Sequence, residues 1–113
     1  MDFPRGPTIR AAMTNTILPG ETCTTMAEVR AGVDHVDREL VQLLARRFAY
    51  MDAAARIKPE RGHVRDEPRK AEVIDNVRRH ARAANIPEDV IAGLWDHLVE
   101  SSIAYEFVAF DKR

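Results

Sequence analysis

The sequence predicts an all-α protein: three helices, one long and two shorter, intertwined with a second subunit as a homodimer. Three observations lead there. Apolar side chains recur at alternating spacings of three and four from Met26 to Ile57, the mark of a long helix packed lengthwise on a partner. Glycine and proline are few, 5 and 6 in 113 residues, and aromatics are only 6%, which favours long helices over a many-stranded sheet. The first helix is also too long for one chain of this size to cover.

Residues 1–22 carry Pro4, Gly6, Pro7 and Pro19-Gly20 without a sustained apolar period, and read as a flexible N-terminal tail. The helical domain is expected over 23–113. Its first helix has the seam Met26, Val29, Val33, Val36, Leu40, Leu43, Arg47, Tyr50, Ala54 and Ile57. Thr25 is placed to cap it, Glu28 to reach back as in a capping box, and Pro59 to end it. Residues 59–65 read as a polar, mobile loop. The second helix opens at Asp66, a good N-cap, with Pro68 in its first turn; Val73, Val77, Ala81 and Ala84 form its apolar edge, and Asn85 is a stop signal. The third opens at Pro87 with Glu88 and Asp89 where the helix dipole favours acids, and its inward stripe reads Ile91, Leu94, Trp95, Leu98, Ser102, Tyr105, Glu106, Ala109.

A helix over 25–57 spans roughly 50 Å at about 1.5 Å per residue. A compact chain of this length has a radius of gyration near about 13 Å, hence a globule about 35 Å across. The apolar seam needs cover beyond what one chain offers, and an identical antiparallel copy supplies it. A helix that kinks or frays is the alternative.

Composition narrows the function. A formal net charge of −1 lacks the basic excess of a nucleic-acid binder. The single cysteine, Cys23, rules out an intramolecular disulfide. Neither a bilayer-spanning apolar run nor a secretory h-region is evident, so a cytoplasmic protein is expected, with no membrane partner.

Polar residues at seam positions then point to chemistry. Arg47 stands where the period demands an apolar side chain, and a buried guanidinium needs an anion. That anion is either a ligand or an acid such as Asp37 or Glu39 of a partner helix. Lys58 lies eleven residues on, close to three turns, and projects from nearly the same face. Arg30 precedes Arg47 by seventeen residues, about 25 Å along the axis, and can share a small ligand only with Arg47 and Lys58 of an antiparallel twin. On the third helix, Ser102 and Glu106 share a face, where a carboxylate is desolvated unless a base pairs with it. Asp66 and Arg69 fall in the first turn of the second helix. Taken singly, Arg30 and Lys58 are ordinary surface charges, and Arg61, Arg65, Arg69, Lys70, Arg78, Arg79 and Arg82 read as a mostly solvated face. No phosphate-binding glycine loop, metal-ligand spacing or Ser-His-Asp set is present, so no metal or other cofactor is expected. Several cations, one acid and a hydroxyl suit a dicarboxylate better than covalent catalysis.

The run Met26-Ala27-Glu28-Val29-Arg30, Val33-Asp34, Val36-Asp37, Leu40, Leu43-Leu44, Arg46-Arg47 and Lys58 resembles the first helix of the all-helical chorismate mutases. Asp66-Glu67-Pro68-Arg69 is similar to that family's second-helix opening, and Ser102 and Glu106 fall where the family has a serine and, four residues on, Gln or Glu. The resemblance covers about residues 24–110. It implies an intertwined dimer with two shared sites. Arg47, together with Arg30 of the opposite subunit, grips the substrate carboxylates, and Lys58 donates to the ether oxygen with Glu106 beside it. Asp66, Arg69 and Ser102 help hold carboxylate and hydroxyl groups. The implied reaction is the pericyclic rearrangement of chorismate to prephenate, an isomerase step in aromatic amino acid biosynthesis (the shikimate pathway). Catalysis rests on conformational restriction and charge stabilisation, with Glu106 acting as a neutral acid.

Two rivals stay open. Arg30, Arg46-Arg47 and the stretch to Lys58 also resemble isochorismate-pyruvate lyase, which forms salicylate and pyruvate on the same scaffold; that subgroup usually has Gln where this chain has Glu106. The other rival is a non-catalytic helical dimer binding an aromatic-pathway acid or a partner enzyme. Short mutases can also depend on a partner enzyme for full activity.

Overall fold

The structure is a computed structural model and describes residues 16–113. It contains three α-helices: α1 (Met26–Ile57), α2 (Glu67–Ala83) and α3 (Glu88–Asp111). Two 3-10 turns, Gly20–Thr22 and Arg61–His63, precede α1 and α2, and there is no strand among the described residues. The chain divides into two compact units, one up to Ala45 and one from Arg46 onward. The expected tail lies largely outside the described residues.

In the first unit, Pro19 starts a tight turn: its carbonyl accepts from the Thr22 amide and hydroxyl, each at 3.0 Å. The capping box at the head of α1 forms as expected. Glu28 N donates to Thr25 Oγ1 at 3.2 Å, and Glu28 Oε1 accepts from the Thr25 amide at 3.1 Å and the Thr24 amide at 2.8 Å. These bonds satisfy donors that a helix start leaves without partners, and they hold the Glu28 carboxyl below its usual range. Beyond the cap the apolar seam is open. Met26, Val33, Val36, Leu40 and Leu43 are all exposed, Val33 to 52%.

The second unit contains the last turns of α1 together with α2 and α3. Asp66 caps α2, its Oδ1 accepting from the Arg69 amide at 3.0 Å, with Pro68 in the first turn. The helix stops at a left-handed residue, Asn85, with φ of 60°. The Asn85 amide donates to Arg82 O at 3.1 Å and the Ile86 amide to Ala81 O at 3.0 Å, the paired bonds of a Schellman stop. α3 then packs back on α2, fastened near the turn by Arg78 and Arg82. Both reach Glu88, at 3.3 and 2.9 Å, and Arg78 also reaches Asp89 at 2.7 Å.

Three expectations need correction. The stripe of α3 that points inward is centred on Ala92, Val99, Ser102 and Glu106, whereas Leu94 (59%) and Tyr105 (41%) are exposed. Tyr105 instead lies along α1, its ring tilted against Phe48 with centroids 4.8 Å apart and its hydroxyl donating to Asp52 Oδ1 at 2.9 Å. Ala84, placed on the apolar edge of α2, is exposed as well, because the chain has already turned there. The segment after Pro59 is anchored rather than loose: Val64 is buried, and Arg61 forks onto Asp111 at 2.8 and 3.2 Å.

Candidate active site

The second unit encloses a cavity of about 320 Å³. Arg47, Met51 and Ala54 enter it from one face of α1, and Lys58 from just past its end. Asp66, Arg69, Lys70 and Val73 come from the first turns of α2, with Val64 before them, and α3 contributes Val99, Ser102, Ile103 and Glu106. Six of the seven candidate residues therefore meet. Arg30 is the seventh; it is exposed on α1 within the first unit and is not among the lining residues.

Arg47 is the central finding. Its Nη1 donates to Ser102 Oγ at 2.6 Å, and Ser102, 3% exposed, donates its own proton to Leu98 O at 2.7 Å. With that proton committed to a helix carbonyl, the hydroxyl can only accept from the guanidinium, which fixes its aim. Among the described residues, no carboxylate pairs with Arg47. Desolvation by burial pushes its pKa down, and the positive charge of Arg69 adds to the effect. A partly desolvated cation beside a second cation, with no counterion, is a site that favours an anion.

Across the cavity Lys58 Nζ stands 2.8 Å from Glu106 Oε2, with Glu106 only 4% exposed. The buried carboxylate thus has a base beside it. The contact is electrostatic more than directional, since that shielded oxygen has no well-aligned hydrogen-bond donor among the described residues. Lys58 also donates to Val64 O at 3.4 Å. Arg69, also in the lining, pairs with Glu72 at 2.6 Å.

Lys70 belongs to the cavity wall, against the expectation that the basic residues of α2 form a mostly solvated face. Its ammonium is held by Glu100 at 2.7 Å and Asp96 at 3.0 Å on α3, bonds that raise its pKa. Arg65 reaches Glu100 too, at 2.6 Å, and the pair of bases lowers the Glu100 pKa to about 2, the Arg65 bond contributing most. The sequence does hold a signal for Lys70: it follows Asp66 by four residues and precedes Val73 by three, hence lies on the cavity face of α2. Val64 carries no comparable signal, because nothing periodic precedes it in the loop.

The lining carries four cations against two carboxylates, an excess of two positive charges. Apolar walls surround them, and Ser102, the one hydroxyl-bearing side chain in the lining, has its proton tied to a carbonyl. Such a cavity can hold, orient and electrostatically stabilise a dianion. Fold and site together define a helical domain with a cation-rich cavity of the kind that suits an anionic ligand. Residues 29–107 match the family described as chorismate mutase type II. The chain is 30% identical over 84 residues to an isochorismate pyruvate lyase of Pseudomonas aeruginosa, covering 74% of this chain and 83% of the relative. It is 26% identical over 82 residues to a chorismate mutase of Methanocaldococcus jannaschii, covering 72% and 83%. The chain belongs to the type II chorismate mutase family.

Proposed function

We propose that this protein is a chorismate mutase, an isomerase converting chorismate to prephenate. The observation that carries this reading is Arg47: a guanidinium aimed by Ser102, short of a counterion, facing a cavity that also holds the Lys58–Glu106 pair. The cavity volume lies near the lower end of the usual range for ligand pockets, about 300–1,000 Å³. Arg47 binds one substrate carboxylate. Arg69, released from Glu72, binds substrate as well, with Asp66 helping to hold the hydroxyl.

The rearrangement breaks one C–O bond as a C–C bond forms, and needs no nucleophile. The cavity favours the compact conformer that brings the reacting carbons together, and Lys58 stabilises negative charge growing on the ether oxygen. Glu106, beside Lys58, assists by donating a hydrogen bond to the same oxygen.

The same reading makes the working form a homodimer in the cytoplasm. The open seam of α1, from Met26 to Leu43, supports it, since so many exposed apolar side chains on one helix call for cover. In an antiparallel pair, Arg30 of the twin completes the dicarboxylate grip.

A second reading, isochorismate-pyruvate lyase, is favoured by the 30% identity to the Pseudomonas aeruginosa enzyme. Both reactions need a clamped dianion and a cation on the ether oxygen; they part at the position of Glu106. The purified protein given chorismate and isochorismate in separate reactions decides between them. Prephenate from chorismate supports the mutase, salicylate and pyruvate from isochorismate support the lyase, and turnover of neither overturns both.

A further inference from the structure

The end of α1 has a defect that the sequence itself creates. The Ala55 carbonyl should accept from the residue four positions later, but that residue is Pro59, which has no N–H. Ala55 is 2% exposed, so water offers little compensation.

Arg113, two residues beyond α3, fills the gap. Its Nη1 donates to Ala55 O at 3.0 Å and to Lys58 O at 2.6 Å, with Arg56 O at 3.5 Å, and its Nη2 donates to Pro59 O at 3.3 Å. The guanidinium lies over the Phe110 ring, 3.7 Å from its centroid, which limits the directions the fork can take. A cation at this position also complements the negative end of the helix dipole. A second tie runs alongside: Arg61 forks onto Asp111 and lies over Phe107 at 4.4 Å. The backbone that carries Lys58 is thus gripped from α3 on both sides.

We propose that Arg113 is a positioning residue for the reaction, fixing the Lys58 main chain so that the Lys58 ammonium is held in the cavity beside Glu106. This rests on the reading that Lys58 acts on the ether oxygen. Arg113 is not among the cavity-lining residues, and Arg47 and Ser102 are held by bonds of their own. Its loss therefore acts on the chemical step and leaves substrate capture nearly intact.

Steady-state kinetics on the full chain test this. Arg113→Ala is expected to lower kcat about tenfold, the scale set by a small misplacement of one catalytic group. KM should stay within about twofold. Arg113→Lys keeps the charge but not the fork, and is expected to recover part of the lost kcat. If the alanine variant fails to fold, the lysine variant carries the test with the same split: a smaller fall in kcat at nearly constant KM. An active wild type with an unchanged kcat in Arg113→Ala overturns the proposal. So does a loss expressed mainly in KM, or one that lysine does not relieve at all. An inactive wild type instead overturns the functional reading beneath it.

Discussion

Arg47 and Ser102 are joined across 2.6 Å, and because Ser102 passes its proton to Leu98 O, a carbonyl of α3 sets the direction of a guanidinium carried by α1. Removing the hydroxyl frees that guanidinium without removing its charge. Ser102→Ala should therefore raise KM about tenfold, with a smaller effect on kcat. The fold should lose about 1–2 kcal/mol, since the hydrogen bonds from Arg47 and to Leu98 O are both removed. Kinetics together with a urea melt check both parts.

Within the Lys58–Glu106 pair, Glu106 is assigned to donate a hydrogen bond to the ether oxygen, a role that an amide can also fill. Glu106→Gln should therefore keep kcat within about tenfold of wild type, whereas Glu106→Ala should lower it about a hundredfold. A glutamine variant no more active than the alanine variant speaks against the assigned role.

The same pair has a structural cost when it is broken. Lys58→Met leaves a carboxyl that is 4% exposed without its base, 2.8 Å from where the ammonium stood. The expected loss is about 2 kcal/mol at neutral pH, below the ~3–5 kcal/mol of a fully buried pair because Lys58 is partly open to water. Adding Glu106→Gln to Lys58→Met should return most of it, and chemical denaturation of the three variants measures the recovery.

Glu100 supplies an acid-range prediction. Arg65 and Lys70 hold its pKa at about 2, against 4.5 without them. The folded state binds this proton less readily than the unfolded chain, so the network's contribution is complete above about pH 4.5 and fades as pH falls toward about 2. The group is open to solvent, and added salt should weaken the effect. Urea midpoints of wild type and Glu100→Gln should differ at pH 7 and converge near the acid end.

Local chemistry made much of this protein legible. Thr25 with Glu28, Pro59, Asp66 and Asn85 each act within four residues of themselves, and each marks a helix boundary where expected. Six of the candidate site residues followed from the broken period at Arg47, the face shared by Ser102 and Glu106, and a family pattern. What escaped was tertiary. An apolar stripe does not say which of its members face the chain's own core, and Leu94 and Tyr105, both part of it, are exposed. Lys70 was hidden among other basic residues because its partners Asp96 and Glu100 lie on a different helix. The Arg113 bonds depend on a carbonyl left unpaired by a proline more than fifty residues earlier, a relation no local pattern contains.

The most direct measurement is turnover of chorismate by wild type and Arg47→Ala at matched protein concentration, with prephenate quantified. Prephenate formed by the wild type, with kcat/KM lower by about a hundredfold or more in the variant, is the predicted result. Undiminished turnover in Arg47→Ala, or a wild type that leaves both chorismate and isochorismate untouched, contradicts the account.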